Sequence, residues 1–266
     1  LRIFVSNSPE LQKMIDMEEY QRETPAVNNG DCEQNITSED ESYTKTTLGD
    51  KQNSPEILKV LGLQWRSTED HLVFDIHHIS ELAVSLEPTK RNVVSLATRI
   101  YDPLGILSPF VVHFKMLCQQ VCLLKVSWDE NLSGESLTEW RQLQRGLEQA
   151  QPIVIPRCYF HDVGETSSYC LLGFCDASKR AYAAVVYLRG KSSASSCTTK
   201  FVVAKTRVSP IQGHCIPRLE LLAALLLARL ISNVFAAQEE ELKLESPMCY
   251  TDSKVALFWI KGQDRR

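Results

Sequence analysis

The clearest alternation of apolar and polar positions lies in the last hundred residues of the chain. Three apolar runs there predict consecutive strands: SYCLLGFCDAS, AYAAVVYLRG and KFVVAKTRV. Pro217 then opens a helix from Arg218 to about Glu240, and Met248 to Tyr250 predicts a fourth short strand. Ser253 to Lys261 begins a further helix. This order predicts an α+β fold in which helices pack on a mixed sheet.

The middle of the chain has the pattern of a hairpin followed by helices. Two apolar runs in ILKVLGLQWRSTEDHLVFDI, separated by Arg66 to Asp70, indicate a β-hairpin. Helical spacing follows in RNVVSLATRI and in FVVHFKMLCQQVCLLKVSW, where Ser108 is the predicted cap and Pro109 the first helical residue. Leu137 to Gln149 predicts another amphipathic helix, and a domain boundary is expected at about residues 151–165.

The first 54 residues differ in composition from the rest. Residues 1–20 predict a short strand and a helix capped by Ser8. Residues 23–54 are polar and acidic without any apolar period, which predicts a disordered or loosely held insertion. Residues 1–54 carry five basic and eleven acidic side chains, a net charge of −6, within a chain of net charge −4. We expect the chain to be a fragment of a longer protein.

Bulk composition restricts the class of protein. The 266 residues are 44% hydrophobic and 23% charged, which is typical of a globular protein long enough for two domains. The longest apolar stretch, Leu219 to Ala237, contains Glu220 and Arg229 and therefore predicts a buried helix and not a membrane span. Nine cysteines without a Cys-x-x-Cys pair indicate reduced thiols.

Three acidic residues lie inside apolar stretches, where a charged carboxylate is costly to bury. Asp176 falls at the end of the first strand predicted in the last hundred residues, Glu220 in the first turn of the long helix, and Asp252 at the end of the fourth strand. If the fourth strand lies beside the first, the three carboxylates converge. Carboxylate oxygens suit Mg²⁺, and a pair of such ions can cleave a phosphodiester by activating water and stabilising the leaving 3′ oxygen.

Two of these carboxylates also have ordinary structural explanations. A glutamate at a helix start is favoured by the helix dipole, and Asp252 can cap the helix that follows it. Only the joint placement of Glu220 and Asp252 with Asp176 favours a shared metal ion.

Basic side chains cluster around Asp176. In residues 176–218 Asp176 is the single acid, whereas eight cations can neutralise a nucleic-acid backbone, although a solvated face of strands and loops would have the same composition. The eight cations are Lys179, Arg180, Arg189, Lys191, Lys200, Lys205, Arg207 and Arg218.

Several long runs closely resemble the polymerase polyprotein of BEL/Pao-type retrotransposons, in a region catalogued as the Pao retrotransposon peptidase family. They are SNSPEL, KVLGLQW, YDPLGILSP, FCDASKRAYAAVVYLR, AKTRVSP, IPRLELLAA and YTDSKVALFWI. The resemblance implies the end of a reverse-transcriptase palm at residues 1–22 and an acidic insertion at 23–54. It further implies a hairpin plus a helical thumb/connection-like region at 55–155, and a C-terminally truncated ribonuclease H-like domain at 156–266.

The same resemblance implies a function. Asp176, Glu220 and Asp252 match three catalytic, metal-binding carboxylates of the family, with Mg²⁺ or Mn²⁺ as the cofactor. The implied partners are an RNA–DNA hybrid or template–primer and the remainder of the polyprotein. A cytoplasmic retroelement particle is the compartment typical of such a protein, and the sequence itself does not specify one. Nucleic-acid contacts are expected at Lys90, Arg91, Arg99, Lys179, Arg180, Lys205, Arg207 and Arg218.

The chain departs from the family pattern in two ways. It contains no YxDD-type palm motif, so polymerisation is not expected, and it ends fourteen residues after Asp252 without a fourth acid of the ribonuclease H type, so weak nuclease activity is expected. Two alternatives stay open. One is an aspartic peptidase, although Asp176-Ala177-Ser178 and Asp252-Ser253-Lys254 lack the glycine of an Asp-Thr/Ser-Gly loop. The other is a non-catalytic nucleic-acid-binding or structural module.

Overall fold

The computed structural model describes residues 8–14, 17, 57–60, 63–160, 166–192 and 197–262. These residues form two compact units. One holds the described residues up to Asp75 together with Gln151–Cys158, and the other holds Ile76–Ala150 and the described residues from Tyr159 onward.

Little of the N-terminal region falls within the described residues. Residues 9–14 are helical, and the Ser8 hydroxyl accepts a hydrogen bond from the amide of Leu11 at 3.4 Å, as expected of a cap. The predicted strand before Ser8 and the acidic insertion at 23–54 lie outside the described residues.

A four-stranded antiparallel sheet forms the first unit. In sheet order its strands are β1 (Ile57–Val60), β2 (Leu63–Arg66), β3 (His71–Phe74) and β4 (Ile153–Pro156). The predicted hairpin is confirmed as β2–β3, and Trp65 and Phe74 are buried. The sequence pattern did not predict two features: the first apolar run divides into β1 and β2, and the extended segment before Pro156 adds to β3.

One acidic side chain ties the hairpin turn to β4. Asp70 has a φ of 52°, a left-handed conformation that aspartate tolerates better than most residues. Its carboxylate accepts hydrogen bonds from Trp65 Nε1 at 3.0 Å and from Arg157 Nε at 2.6 Å. The Arg157 guanidinium also lies 5.4 Å from the centre of the Trp65 ring. A residue far away in sequence is thereby held against the turn.

Four helices open the second unit: α1 (His77–Ser85), α2 (Lys90–Arg99), α3 (Ser108–Leu123) and α4 (Gly134–Glu148). The last three agree with the predicted helices to within a few residues. The cap predicted at Ser108 is wrong by one position, because Leu107 occupies it and its amide donates to the Asp102 carboxylate at 2.9 Å. Burial raises the pKa of Asp102, although the hydrogen bonds that its carboxylate accepts from backbone amides lower the pKa in part.

The second sheet has the order β7-β6-β5-β8. Strands β5 (Thr166–Ala177), β6 (Ala181–Ser192) and β7 (Cys197–Val208) form an antiparallel meander, and β8 (Leu244–Tyr250) pairs with β5 in parallel. The predicted mixed sheet is therefore confirmed, and the condition that the fourth strand lies beside the first is met.

Helix α5 (Ile216–Gln238) connects β7 to β8 in the chain and packs across one face of this sheet. Helix α6 (Lys254–Lys261) follows β8. The buried face of α5 packs on β5 and β6. The two elements approach so closely at Gly173 that a Cβ added there would lie 2.6 Å from the Leu227 side chain. Among the described residues α5 is the one helix with the length and apolar composition of a membrane span. The prediction of a buried helix holds for one face only: that face packs on the sheet, but 22% of the most apolar window is buried, and Leu221 and Leu225 are exposed.

The helical segment α1–α4 belongs to the same compact unit as the sheet β5–β8. Its contact with the sheet runs through α3 and the preceding loop, where the amide of Ala204 on β7 donates to the carbonyl of Leu104 at 2.9 Å. The unit boundaries thus differ from the predicted division at residue 155, because α3 packs on β7. The assignment of thumb, connection and nuclease domains stays a prediction.

Replacement of Gly105 by alanine tests this contact. Gly105 has a φ of +78°, and a Cβ there would lie 2.0 Å from the Ala204 carbonyl oxygen. Backbone strain and the clash together should cost about 3 kcal/mol or more of unfolding free energy, measured by urea denaturation. Gly213→Ala is the matched control, because its φ is +67° but its Cβ would meet nothing within 4 Å. It should lose only about 1–2 kcal/mol, and equal losses would contradict the packing.

Candidate active site

Asp176 and Asp252 lie at the same end of the sheet. Parallel pairing places Phe174 of β5 opposite Tyr250 of β8, and their rings stack with centroids 5.1 Å apart. Each aspartate is two residues beyond this pair, and both are exposed. The Cys175 thiol lies beneath this end: burial raises its pKa first, and the nearby carboxylates of Asp176 and Asp252 raise it further.

Glu220 reaches the same end of the sheet from helix α5. The Ser253 hydroxyl donates a hydrogen bond to the Glu220 carboxylate and accepts one from the amide of Ala256 at 3.1 Å. Ser253, the residue directly after Asp252, therefore caps α6 and also binds the Glu220 carboxylate, which brings Glu220 close to Asp252 in the fold. Glu220 itself is half-buried.

Both ordinary explanations of the acidic residues weaken in the structure. Helix α5 begins at Ile216, two residues earlier than predicted, so Glu220 is its fifth residue and no acid lies in its first turn. The prediction that Glu220 lies in the first turn is therefore wrong by a few residues. The cap of α6 is Ser253, so Asp252 does not serve as the cap.

Asp176 is on the other face of the sheet from α5. Gly173 faces Leu227 of α5, so strand alternation directs Phe174 and Asp176 to the opposite face. There Asp176 borders a cavity of about 630 Å³ whose wall includes Phe174, Tyr187 and Pro109. One Asp176 carboxylate oxygen accepts from the adjacent Ala177 amide at 2.7 Å.

The three carboxylates thus share one end of the sheet, but the convergence expected from the sequence is not seen, because Asp176 lies on the face opposite to the helix that carries Glu220. Within the described part of the chain, no three His, Cys, Asp or Glu side chains are grouped closely enough to hold a metal ion. Their oxygen donors have the chemistry that a hard divalent cation prefers, and two of the three are solvent-accessible.

Predicted cations also lie near this end. Lys205 and Arg207 are exposed on β7, in register with Ala184 and Tyr182 of β6. Their rows are those of Cys175 and Ala177 on β5, two strands or about 10 Å away, so they project from the face that carries α5 and not from that of Asp176. Lys179 and Arg180 in the β5–β6 turn and Arg218 near the start of α5 are exposed as well. Arg180 also pairs with Glu139 at 3.3 Å, a contact with which a phosphate would compete.

The cations of α2 have partners within the protein. Lys90 Nζ lies 5.0 Å from the centre of the Trp128 ring, and Arg91 Nε donates to the Asp129 carboxylate at 2.6 Å. This hydrogen bond lowers the pKa of Asp129 and raises that of Arg91. Arg99 is exposed in the last turn of α2. A nucleic acid would compete with these local contacts at Lys90 and Arg91.

A meander of three strands, a helix on one face and a fourth strand parallel to the first define a ribonuclease H-like α+β fold, with acidic residues at the expected sheet end. The chain belongs to the family described as Pao retrotransposon-like RNaseH-like domain, whose match covers residues 89–253.

Other comparisons give little beyond the family. No curated protein matches the chain. One similar solved structure is described as the foamy viral protease-reverse transcriptase dRH in complex with ds DNA, at 13% sequence identity and a TM-score of 0.38. The match covers 76% of this chain and 32% of that chain, so the chain spans about a third of its length.

Removal of the Ser253 hydroxyl tests the link between Glu220 and α6. Ser253→Ala deletes the cap and the donor to Glu220, which should cost α6 about 1 kcal/mol of local stability. We expect faster amide hydrogen exchange at Ala256, while Ser253→Thr, which keeps the hydroxyl, should exchange nearly as the wild type does. Identical exchange in Ser253→Ala and wild type would contradict the assigned cap.

Proposed function

We propose that the ribonuclease H-like unit cleaves the RNA strand of RNA–DNA hybrids in a reaction that depends on Mg²⁺ or Mn²⁺. The observation that carries this proposal is the parallel pairing of β5 with β8, which brings Asp176 and Asp252 to one sheet end. The family assignment supports the same class of chemistry. In such a site Asp176, Glu220 and Asp252 would hold the metal.

The roles of the protein groups follow from their surroundings. Bound metal would supply activation of the attacking water and stabilisation of the leaving 3′ oxygen. Glu220 is oriented by the Ser253 hydroxyl, and the exposure of Asp176 and Asp252 leaves both accessible to solvent ions. Because the three carboxylates do not form a closed cluster in the described part of the chain, we expect slow cleavage.

Cations at the same sheet end support a nucleic-acid substrate. We propose that Lys179, Arg180, Lys205, Arg207 and Arg218 contact phosphates of the hybrid near the carboxylates. Lys90, Arg91 and Arg99 would contact the template–primer duplex further along, and the remainder of a polymerase polyprotein would supply polymerisation.

A non-catalytic nucleic-acid-binding module is the second candidate. It is favoured by the fact that, within the residues described, no three acidic side chains are grouped for a metal ion. The aspartic peptidase alternative gains no support, because the matched family is described as RNaseH-like and neither aspartate begins an Asp-Thr/Ser-Gly sequence.

Substitution of each carboxylate tests the catalytic proposal. Asp176→Asn, Glu220→Gln and Asp252→Asn should each lower metal-dependent cleavage of a labelled hybrid by at least about 100-fold, because each removes a charged ligand. Glu240→Gln changes an exposed acid just beyond α5 and should leave the rate unchanged. Robust cleavage by Asp176→Asn would refute the site, and hybrid binding without any cleavage by the wild type would favour the non-catalytic module.

The salt dependence of binding tests the cationic surface. The double variant Lys205→Gln/Arg207→Gln should reduce the slope of log K against log salt by about 1.5 in magnitude, because two phosphate contacts and their released counterions are lost. Lys243→Gln is the matched control, since exposed Lys243 precedes β8 at the opposite end of the strand from Asp252. A slope that is the same in wild type and double variant would exclude these two side chains from the interface.

A further inference from the structure

Hydrogen bonds connect helix α3 to the turn that follows Asp176. Gln119 Nε2 donates to the carbonyl oxygen of Ser209 at 2.7 Å. The amide of Ser209 donates in turn to the carbonyl oxygen of Arg180 at 2.9 Å. Arg180 lies in the β5–β6 turn, four residues after Asp176. Helix α3 therefore reaches this turn through a single intervening residue, Ser209, which is buried.

Helix α4 contacts the same turn. Glu139 Oε1 lies 3.3 Å from Arg180 Nη2, with side-chain exposures of 25% and 58% respectively. An ion pair this open to solvent adds little stability by itself. It does, however, direct the Arg180 guanidinium toward the helices, so the turn is anchored through both its backbone and a side chain.

The turn is closed internally by Ser178. Its hydroxyl oxygen accepts hydrogen bonds from the amides of Arg180 at 3.2 Å and Ala181 at 3.1 Å. The Ser178 amide donates to the Ala181 carbonyl at 2.8 Å. A turn with these bonds moves as one piece, so a displacement of Arg180 is passed to Ser178, two residues from Asp176.

We propose that Gln119 and Glu139 are positioning residues that set the orientation of the β5–β6 turn and, through it, of the Asp176 carboxylate. Helices α3 and α4 thereby act on the candidate active site through two side chains, Gln119 and Glu139, that do not contact substrate. The part of this inference that concerns catalysis rests on the proposed function, whereas the mechanical link between α3 and the turn does not.

The neighbouring glutamine on α3 provides a matched control. Gln120 Nε2 donates to the Ser136 hydroxyl of α4 at 3.1 Å, so its hydrogen bond stays within the helical segment. A hydroxyl can reverse its role and donate to a carboxylate, whereas the Ser209 carbonyl can only accept. Gln119→Glu therefore breaks its hydrogen bond without changing side-chain shape, and Gln120→Glu keeps one.

Amide hydrogen exchange on the full chain, without metal or nucleic acid, tests the link. Gln119→Glu should accelerate exchange of the amides at residues 178–181 and at Ser209 by about three- to tenfold, which corresponds to loss of one hydrogen bond. Gln120→Glu should leave these amides unchanged. Adding Glu139→Ala to Gln119→Glu should accelerate them further, and adding Glu135→Ala, on the same helix, should not.

Exchange that is equal in Gln119→Glu and Gln120→Glu would overturn the proposed link. Hybrid cleavage separates this result from the proposed function: Gln119→Glu should lower kcat while KM stays within about twofold, because no group that binds substrate is removed. Faster exchange with an unchanged kcat in a cleaving protein would overturn the positioning role. Faster exchange in a wild-type background that cleaves nothing would support the mechanical link and count against the nuclease proposal.

Discussion

The parallel pairing of β5 with β8 is the constraint on which the candidate site depends. Parallel neighbours cannot be joined by a tight turn, so the chain must return along the sheet, and α5 provides this crossover. The helix packs closely because Gly173 leaves room for Leu227. Two carboxylates that are distant in sequence, Asp176 and Asp252, reach one sheet end because this crossover makes β8 run parallel to β5.

Periodicity in the sequence was sufficient to predict the second sheet and its neighbouring helices. The strands β5 and β6 are continuous apolar runs whose buried residues form one core with the inner face of α5, so the apolar runs and the burial agree on that side of the sheet. The sequence left open whether the fourth strand lies beside the first. In the structure β8 adds to the edge of β5 that the meander leaves unpaired.

Other features depend on contacts that no local pattern encodes. The addition of β4 to the first sheet requires Arg157 to meet Asp70, 87 residues away. The pairing of Arg91 with Asp129 joins residues 38 apart, so a cation expected to face nucleic acid has an internal partner.

The opposite-face position of Asp176 could have been predicted from strand alternation, because Gly173 and Asp176 differ by an odd number of positions.

The helices before the sheet are best understood as part of the ribonuclease H-like unit. Strand β7 is the edge of its sheet, and an unprotected edge offers backbone groups to other chains. The loop before α3 protects this edge, because the Leu104 carbonyl accepts from the Ala204 amide and Gly105 permits the close approach. If these helices moved away from the sheet, the backbone of β7 would become exposed, and the end of β7 that carries Lys205 and Arg207 would lose its contact with the loop before α3. The segment that resembles a thumb and connection is thus, in physical terms, also a cover for the sheet that carries the acidic residues.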